Sequence, residues 1–240
     1  MTEEQEGGLA AVFAHPDDES FGCAGAMALV RDADLPVRLL VATRGEAGTP
    51  DGVPDEEMVL TREEELRGAA RAIGLDEVTM LEGYADGGVA ERSFAQLVQE
   101  IATWLAARRP QAVVTFGPHG VTGHPDHIVV GNATRWAVEQ LAESGIAPNA
   151  VYVIAPVFGP GRNRFDLSPE EAAATHRIDI TSVAERKLAA LRAHASQADT
   201  REAIADHEAA IAEGHPIYEG YTRVRPIVPA PHPKFDERLL

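Results

Sequence analysis

The sequence predicts an α/β protein of three-layer α/β/α architecture, with helices packed on both faces of a mostly parallel β-sheet. Short, continuously apolar segments, typical of strands buried on both faces, alternate with longer segments that carry apolar residues at helical spacing. This alternation implies right-handed crossovers between parallel strands. With 45% apolar and 25% charged residues among 240, the chain also has the average composition of a globular protein.

The first half of the chain contains three predicted strands and two predicted helices. The strands are 9–14, 37–43 and the less apolar 77–81. Small apolar side chains over 19–33 predict a helix that packs closely on the sheet. A second helix is predicted over 55–73, where Gly74 follows as a stop signal. Between the second strand and this helix, the glycines and prolines of 45–54 indicate a loop.

The second half continues the alternation of strands and helices and ends in a proline-rich segment. Its predicted strands are 112–116 and 151–157. Helices are predicted at 93–109, where Ser93 and Gln96 suit a capping box, from Pro125 to near Ser144, at Ser168–Pro169, and from Ser182 to near His194. A terminal strand and a proline-rich tail are predicted over about 215–240. Because no repeat or linker-like segment interrupts the pattern, we expect a single domain over 1–240 with its core at about 9–197.

Charge and cysteine content narrow the function classes. The net charge of −17 opposes binding to nucleic acid or to an anionic membrane surface, so neither is an expected partner. Cys23 is the only cysteine, which excludes an intrachain disulfide and suits a reducing compartment. The acidic start of the chain does not resemble a secretory signal, and no window approaches 18 uninterrupted apolar residues. We therefore expect a cytoplasmic protein.

Titratable side chains collect directly after three predicted strands. The first strand is followed by His15-Pro16-Asp17-Asp18-Glu19, and the second by Arg44-Gly45-Glu46. The strand at 112–116 is followed by a loop that contains His119 and then His124-Pro125-Asp126-His127. Ligands of open α/β sheets bind outside the carboxyl ends of the strands, so these side chains are expected at one edge of the sheet.

The first of these motifs suggests a metal site. Three consecutive carboxylates beside an imidazole repel one another unless a positive charge neutralises them, and a metal ion would supply that charge. A turn brings side chains at i and i+3 together, so His15 and Asp18 are able to reach one ion while Asp17 stands beside them. His127, in the second His-Pro-Asp motif, is the natural third ligand. Two imidazoles and one carboxylate with an open position are typical of catalytic zinc.

These residues also carry a family resemblance. Ala14 followed by His15-Pro16-Asp17-Asp18-Glu19, together with Gly123-His124-Pro125-Asp126-His127, resembles the zinc-dependent N-acetylglucosaminyl deacetylases, the LmbE-like or PIG-L-like family. Weaker similarity extends through 43–48, 62–66 and 187–197, so the resemblance covers roughly Leu9 to Gln197. It implies a Rossmann-like fold and hydrolysis of the acetamide of an N-acetylated amino sugar or its glycoside. Acetate and a free amine would be released, and related enzymes are often homo-oligomers.

The resemblance also implies a role for each matching residue. Zn²⁺ would be held by His15, Asp18 and His127, with Asp17 as the general base. His124 would stabilise the oxyanion as an imidazolium, with Asp126 holding its ring in that form. Substrate-binding residues would be Arg62, Glu46, Arg44 and His119. Of these, Arg44 is better suited to an ion pair with nearby acids, and His119 is equally suited to a solvated loop.

Two other functions use the same residue pattern. Two histidines and one carboxylate also hold ferrous iron in oxygenases, although that site usually occurs on an all-β scaffold. A non-catalytic metal-binding domain would use the same ligands, but it would need neither Asp17 nor His124. The presence of both residues favours the hydrolase.

Overall fold

In a computed structural model, which describes residues 7–48, 55–157, 165–226 and 239–240, the chain forms one seven-stranded sheet flanked by helices. The strands are β1 (Leu9–Phe13), β2 (Val37–Val41), β3 (Glu77–Met80), β4 (Ala112–Thr115), β5 (Ala150–Ile154), β6 (His176–Asp179) and β7 (Tyr218–Arg225). The helices are α1 (Asp18–Gly22), α2 (Ala24–Asp32), α3 (Asp55–Ile73), α4 (Phe94–Arg108), α5 (Pro125–Glu143), α6 (Pro169–Ala172), α7 (Ala184–Ala193) and α8 (Thr200–Glu213). Short 3-10 turns occur at Val89–Glu91 and Thr181–Val183.

The sheet confirms the predicted mostly parallel α/β architecture. Its strand order is β3-β2-β1-β4-β5-β7-β6, and the first five of these strands run parallel. The strands β7 and β6 join at one edge by antiparallel pairing. Both neighbours of β1 are in register with it, since Leu9 pairs with Val37 on one side and with Ala112 on the other. The motifs that follow β1, β2 and β4 therefore emerge side by side at the carboxyl edge.

The parallel part of the sheet forms the centre of the hydrophobic core. All five residues of β1, β2 and β5 are buried, as expected for strands with helices on both faces. Both faces are covered by helices that contribute Met27, Leu66, Ile101 and Val130 to the same core. No helix among the described residues is both long and apolar enough to cross a bilayer. This packed core is the rigid platform from which the loops at the carboxyl edge project.

The predicted helix at 19–33 is two helices, because the backbone breaks at Cys23. The ammonium group of Lys187 donates hydrogen bonds to the carbonyls of Ser20 and Phe21 at the end of α1. The carboxylate of Glu219 accepts hydrogen bonds from the first amides of α2. Lys187 and Glu219 pair with each other at 2.7 Å, and both side chains are 4% exposed. This buried pair satisfies backbone groups that an uninterrupted helix would have bonded internally.

Two elements were not predicted, and both lack a strong apolar pattern. The strand β6 lies at the sheet edge and contains a single apolar residue, Ile178, so it does not form the continuous apolar run of the central strands. The helix α8 buries only Thr200 completely, and it follows directly on the turn after α7. The helix predicted from Ser182 begins as a 3-10 turn and becomes α7 at Ala184. Parts of the predicted 45–54 loop and of the proline-rich tail lie outside the described residues.

Candidate functional site

The turn after β1 is shaped by the side chain of Asp18. Its Oδ2 accepts hydrogen bonds from the backbone amides of Ala14 at 3.1 Å and His15 at 2.7 Å. These bonds fold the carboxylate back over the end of the strand and leave Oδ1 facing His127 at 3.2 Å. His127 lies in the first turn of α5, which begins at the carboxyl edge directly after the loop that follows β4.

Three donor atoms converge at this point. The Nδ1 atom of His15 lies 3.2 Å from Nε2 of His127 and 3.7 Å from the carboxylate of Asp18. In a tetrahedral zinc site with bonds of about 2.0–2.1 Å, neighbouring donor atoms are about 3.3–3.4 Å apart. The two distances to Nε2 of His127, 3.2 Å from Nδ1 of His15 and 3.2 Å from Oδ1 of Asp18, are close to that value, and the 3.7 Å distance from His15 is to the other carboxylate oxygen, Oδ2. The structure therefore brings the three predicted ligand residues together at one point.

The tautomers of the two histidines also suit metal binding. The Nδ1 atom of His127 donates to the carbonyl of Gly120 at 3.0 Å, so the lone pair of a neutral ring is on Nε2. The ring is further fixed by stacking on Phe116, at 4.0 Å between centroids. On His15 the arrangement is reversed, since Nε2 faces carboxylates and Nδ1 faces the other ligands. Outer partners of this kind orient the ligand rings in metalloproteins.

The pKa values of the three donor residues favour a positive charge between them. Burial lowers the pKa of His15, but Asp126, Asp86 and Asp18 outweigh burial and raise that pKa to about 10. Burial likewise lowers the pKa of His127, and Asp18 more than compensates. Burial raises the pKa of Asp18, while the two imidazoles hold it down at about 2. The raised pKa values of His15 and His127 favour a positively charged imidazole at this point in the metal-free protein.

Metal affinity is expected to rise with pH for this reason. Because the pKa of His15 is raised to about 10, its ring is protonated at neutral pH and the incoming ion must displace that proton. Displacing one proton strengthens the apparent affinity about tenfold for each pH unit, until the pH passes the raised pKa. Competition titrations against a chromophoric chelator between pH 6 and 8 measure this slope. A dissociation constant that does not change with pH would contradict proton displacement.

Asp17 stands beside the three donors and is held by Arg62. The Nη2 atom of Arg62 donates to Oδ2 of Asp17 at 3.0 Å and also to the carbonyl of Pro16. Burial raises the pKa of Asp17 to about 7, against the opposing effect of the Arg62 guanidinium. The side chain of Arg62 is 2% exposed, and its Nε and Nη1 have no hydrogen-bond partner among the described residues. The arginine predicted to bind substrate is thus placed directly on the predicted base.

His124 caps α5 and differs from the expected imidazolium. Its Nδ1 accepts a hydrogen bond from the backbone amide of Asp126 at 3.2 Å, so Nδ1 is not available for a proton. Burial lowers the pKa of His124, and the neighbouring His15 and His127 lower it further. The ring centroid of His124 lies 4.7 Å from that of His15 and 5.0 Å from that of His127. The residue is therefore a neutral imidazole at the mouth of the site, with its proton on Nε2.

Asp126 is placed against His15 rather than against the ring of His124. Its Oδ2 lies 3.2 Å from Nε2 of His15 and also accepts from the amide of Gly87, while Oδ1 accepts from Val89. The expectation that Asp126 holds the His124 ring in its charged form therefore does not agree with the structure. The reason is geometric. The backbone amide of Asp126 donates a hydrogen bond to Nδ1 of His124, whereas the carboxylate of Asp126 lies against Nε2 of His15.

Sequence analysis missed Asp86, which is the second carboxylate on His15. Its Oδ1 lies 3.1 Å from Nε2 of His15. Its backbone amide donates to Oε1 of Glu46 at 2.9 Å. Asp86 lies in the glycine-rich loop after β3, which carries no histidine. The only signal for it was its position after a predicted strand.

The remaining predicted residues lie farther from the three donors. Arg44 pairs with Glu63 of α3, which is the ion-pair alternative expected from the sequence. Glu46 keeps Oε2 buried without a partner among the described residues. His119 is 47% exposed and contacts the backbone carbonyl of Asp166 at 2.9 Å. In the described part of the chain, no contact joins His119 to the three donor residues.

The fold and the site together define an α/β protein whose candidate metal-binding side chains follow the carboxyl ends of adjacent strands. A family model described as GlcNAc-PI de-N-acetylase, PIG-L, matches residues 10–138, just over half of the chain. The chain belongs to this family, as the resemblance in its two histidine motifs implied.

Two relatives are more than 30% identical to this chain over the aligned residues. A probable N-acetyl-α-D-glucosaminyl L-malate deacetylase 2 from Bacillus subtilis is 34% identical, over 78% of this chain and 82% of the relative. A 1D-myo-inositol 2-acetamido-2-deoxy-α-D-glucopyranoside deacetylase from Mycobacteroides abscessus is 31% identical, over 79% of this chain and 81% of the relative.

Solved structures share the fold at lower identity. An N,N'-diacetylchitobiose deacetylase from Pyrococcus horikoshii is 21% identical, with a TM-score of 0.69 over 90% of this chain and 82% of that one. GalB from Pseudomonas putida, a 4-carboxy-2-hydroxymuconate hydratase, is 20% identical, with a TM-score of 0.69 over 98% of this chain and all of the other. The fold therefore carries more than one reaction, and at this identity the two structures show the fold alone.

Proposed function

We propose that this protein is a zinc-dependent N-deacetylase that hydrolyses the acetamide of an N-acetylglucosamine-type sugar or glycoside. The observation that carries the proposal is the convergence of His15, Asp18 and His127 at the spacing of a three-ligand metal site, with Asp17 beside it. Two nitrogens and one oxygen with an open position suit zinc used as a hydrolytic catalyst. The products would be acetate and a free amino sugar.

The roles of the surrounding residues follow from their contacts. A bound zinc ion would supply Lewis acidity and lower the pKa of water from 15.7 to about 7. Asp17 accepts the proton of the attacking water, with Arg62 holding its carboxylate in place. The neutral His124 donates from Nε2 to the developing oxyanion, because Nδ1 is already bonded to the backbone. The proton held by Asp17 then passes to the departing amine as the C–N bond breaks.

The carboxylates of Asp126 and Asp86 fix the orientation of the His15 ring. Asp126 and Asp86 accept hydrogen bonds from the Nε2–H group of His15. These bonds keep the lone pair of His15 Nδ1 directed at the ion. This role replaces the contact between Asp126 and His124 that was expected from the sequence. A substitution at either carboxylate would act on metal affinity more than on proton transfer.

The substrate class is inferred from the relatives. The Bacillus and Mycobacteroides proteins are named for different aglycones, L-malate and inositol, attached to the same N-acetylglucosaminyl group. We therefore assign recognition of the acetamido sugar to the site itself.

A substrate panel tests the proposal. The chelated protein, restored with Zn²⁺ or with Fe²⁺, is incubated with N-acetylglucosamine and its malate, inositol and chitobiose derivatives, and free amine and acetate are quantified. We expect equimolar amine and acetate from at least one glycoside with Zn²⁺ alone. Oxygen consumption that requires Fe²⁺ would instead support the oxygenase alternative. Hydration of a conjugated 2-hydroxydienoate without amide cleavage would move the chain to the chemistry of the Pseudomonas neighbour.

A further inference from the structure

We propose that Glu19 and His194 form a buried positioning pair that holds the backbone of Asp17 in the conformation its role as a base requires. The inference rests on the proposed function, because it assigns a purpose to the placement of Asp17. Neither residue touches the three donor atoms, and they lie 175 positions apart in the chain.

The backbone of Asp17 adopts a conformation that it would not choose alone. Its φ is 120° and its ψ is −28°, in a region that residues with a Cβ atom rarely occupy. Such conformations persist only where the surrounding structure enforces them, and they concentrate at functional sites. At this position the conformation sets the direction of the Asp17 side chain relative to the ligands on either side of it.

Glu19 supplies one of the enforcing contacts. Its Oε2 accepts the backbone N–H of Asp17 at 3.0 Å. Its Oε1 accepts the hydroxyl of Ser20 at 2.6 Å and Nε2 of His194 at 2.8 Å. Both Glu19 and His194 are completely buried. His194 therefore fixes the carboxylate that in turn fixes the peptide of Asp17.

The three consecutive acids have separate partners. Arg62 faces Asp17, the two histidine ligands face Asp18, and His194 faces Glu19. His194 supplies the one hydrogen bond to Glu19 that comes from outside the turn. Without it, the buried carboxylate would lose the contact that sets its orientation, and its bond to Asp17 would no longer be directed.

The hydrogen bond from His194 to Glu19 is tested by comparing a substitution that keeps it with one that removes it. Only its Nε2 makes a hydrogen bond, and Nδ1 is buried without a partner among the described residues. A glutamine amide is able to donate from nearly the same place, so His194→Gln should preserve the contact to Glu19 while His194→Ala removes it. Ser196→Ala serves as the control. Ser196 anchors the same turn to Glu65 of α3 but does not bond to Glu19.

The kinetic test uses the zinc-loaded, full-length protein. For His194→Ala we expect kcat to fall about 10–100-fold, the usual effect of removing an outer partner, with KM and zinc content within about twofold of wild type. His194→Gln should recover most of kcat, and Ser196→Ala should leave it unchanged. On an Asp17→Asn background, His194→Ala should lower kcat no further, because the two residues act through one group. Unchanged kcat in His194→Ala, or full additivity with Asp17→Asn, would overturn the proposal.

A crystal structure of His194→Ala gives a readout that does not depend on the reaction. We expect the φ of Asp17 to leave the positive region, or its carboxylate to turn away from the three ligands. An unchanged Asp17 would overturn the positioning role even if the wild-type protein proved to be an efficient deacetylase. Conversely, a displaced Asp17 in a protein that cleaves no acetamide would refute the proposed function and leave the structural inference standing. A loss of melting temperature alone, with normal kcat, would make the pair purely structural.

Discussion

Replacement of Asp17 by asparagine is expected to lower kcat by about 10²–10⁴-fold, the usual contribution of a general base. Asparagine has nearly the same shape, and its amide oxygen is still able to accept the hydrogen bond from Arg62 that Oδ2 now accepts at 3.0 Å. The change removes the negative charge of Asp17 and with it the capacity to take up a proton. Zinc content should therefore remain at the wild-type level, because Asp17 lies beside the three donors and is not one of them.

Steady-state kinetics and elemental analysis of the same preparation separate these effects. Asp32→Asn is a matched control, because Asp32 is also a carboxylate paired with an arginine, Arg186, but lies at the end of α2. That variant should deacetylate at the wild-type rate. If Asp17→Asn were equally active, the base would have to be another group. If it lost its zinc, Asp17 would belong to the ligand set.

Replacement of His127 by alanine is expected to remove both the metal and the activity. His127 contributes one of the two nitrogens, and its Nε2 is the donor closest to both His15 and Asp18. Two remaining ligands do not make a three-ligand site, so bound zinc should fall from about one per chain to a small fraction of that after dialysis. The helix α5 should persist, because the Pro125 start and the His124 cap are untouched.

Inductively coupled plasma analysis and circular dichroism check this prediction together. His119→Ala is the control, since this histidine lies in the same loop but is half exposed and contacts Asp166. It should retain zinc. Undiminished zinc in His127→Ala would exclude the proposed ligand set. Loss of zinc in both variants would indicate that the loop, rather than one ring, determines binding.

The central fold, and the placement of His15, Asp18 and His127 at one edge of the sheet, were predictable because each rests on a local pattern. The strands β1, β2 and β4 are largely apolar runs, and the polar motif after each one lies at the same edge. In contrast, β6 contains a single apolar residue, Ile178, and pairs with β7, which no local pattern encodes. The helix break at Cys23 was likewise not predictable from the sequence. The side chains that bond to the free backbone groups at the break, Lys187 and Glu219, come from distant parts of the chain.

The surroundings of the ligands were less predictable than the ligands themselves. Asp126 was identified from its motif, but its partner was wrong, because sequence spacing does not show which way a carboxylate turns at the start of a helix. Asp86 was missed because the loop after β3 carries no second metal-binding residue type. The positive φ of Asp17 has no sequence signal either, since aspartate occurs in many turns with ordinary backbone angles.

The buried pair formed by Lys187 and Glu219 has a consequence for how the molecule matures. The turn after β1 is synthesised first, but the side chains that secure the break behind it belong to α7 and β7, and Lys187 follows Ser20 by 167 positions. A nascent or truncated chain that stops at residue 138, where the family match ends, contains His15, Asp18 and His127 and lacks this support. The turn that carries two of these three residues is therefore completed only when the carboxyl-terminal half has folded against it.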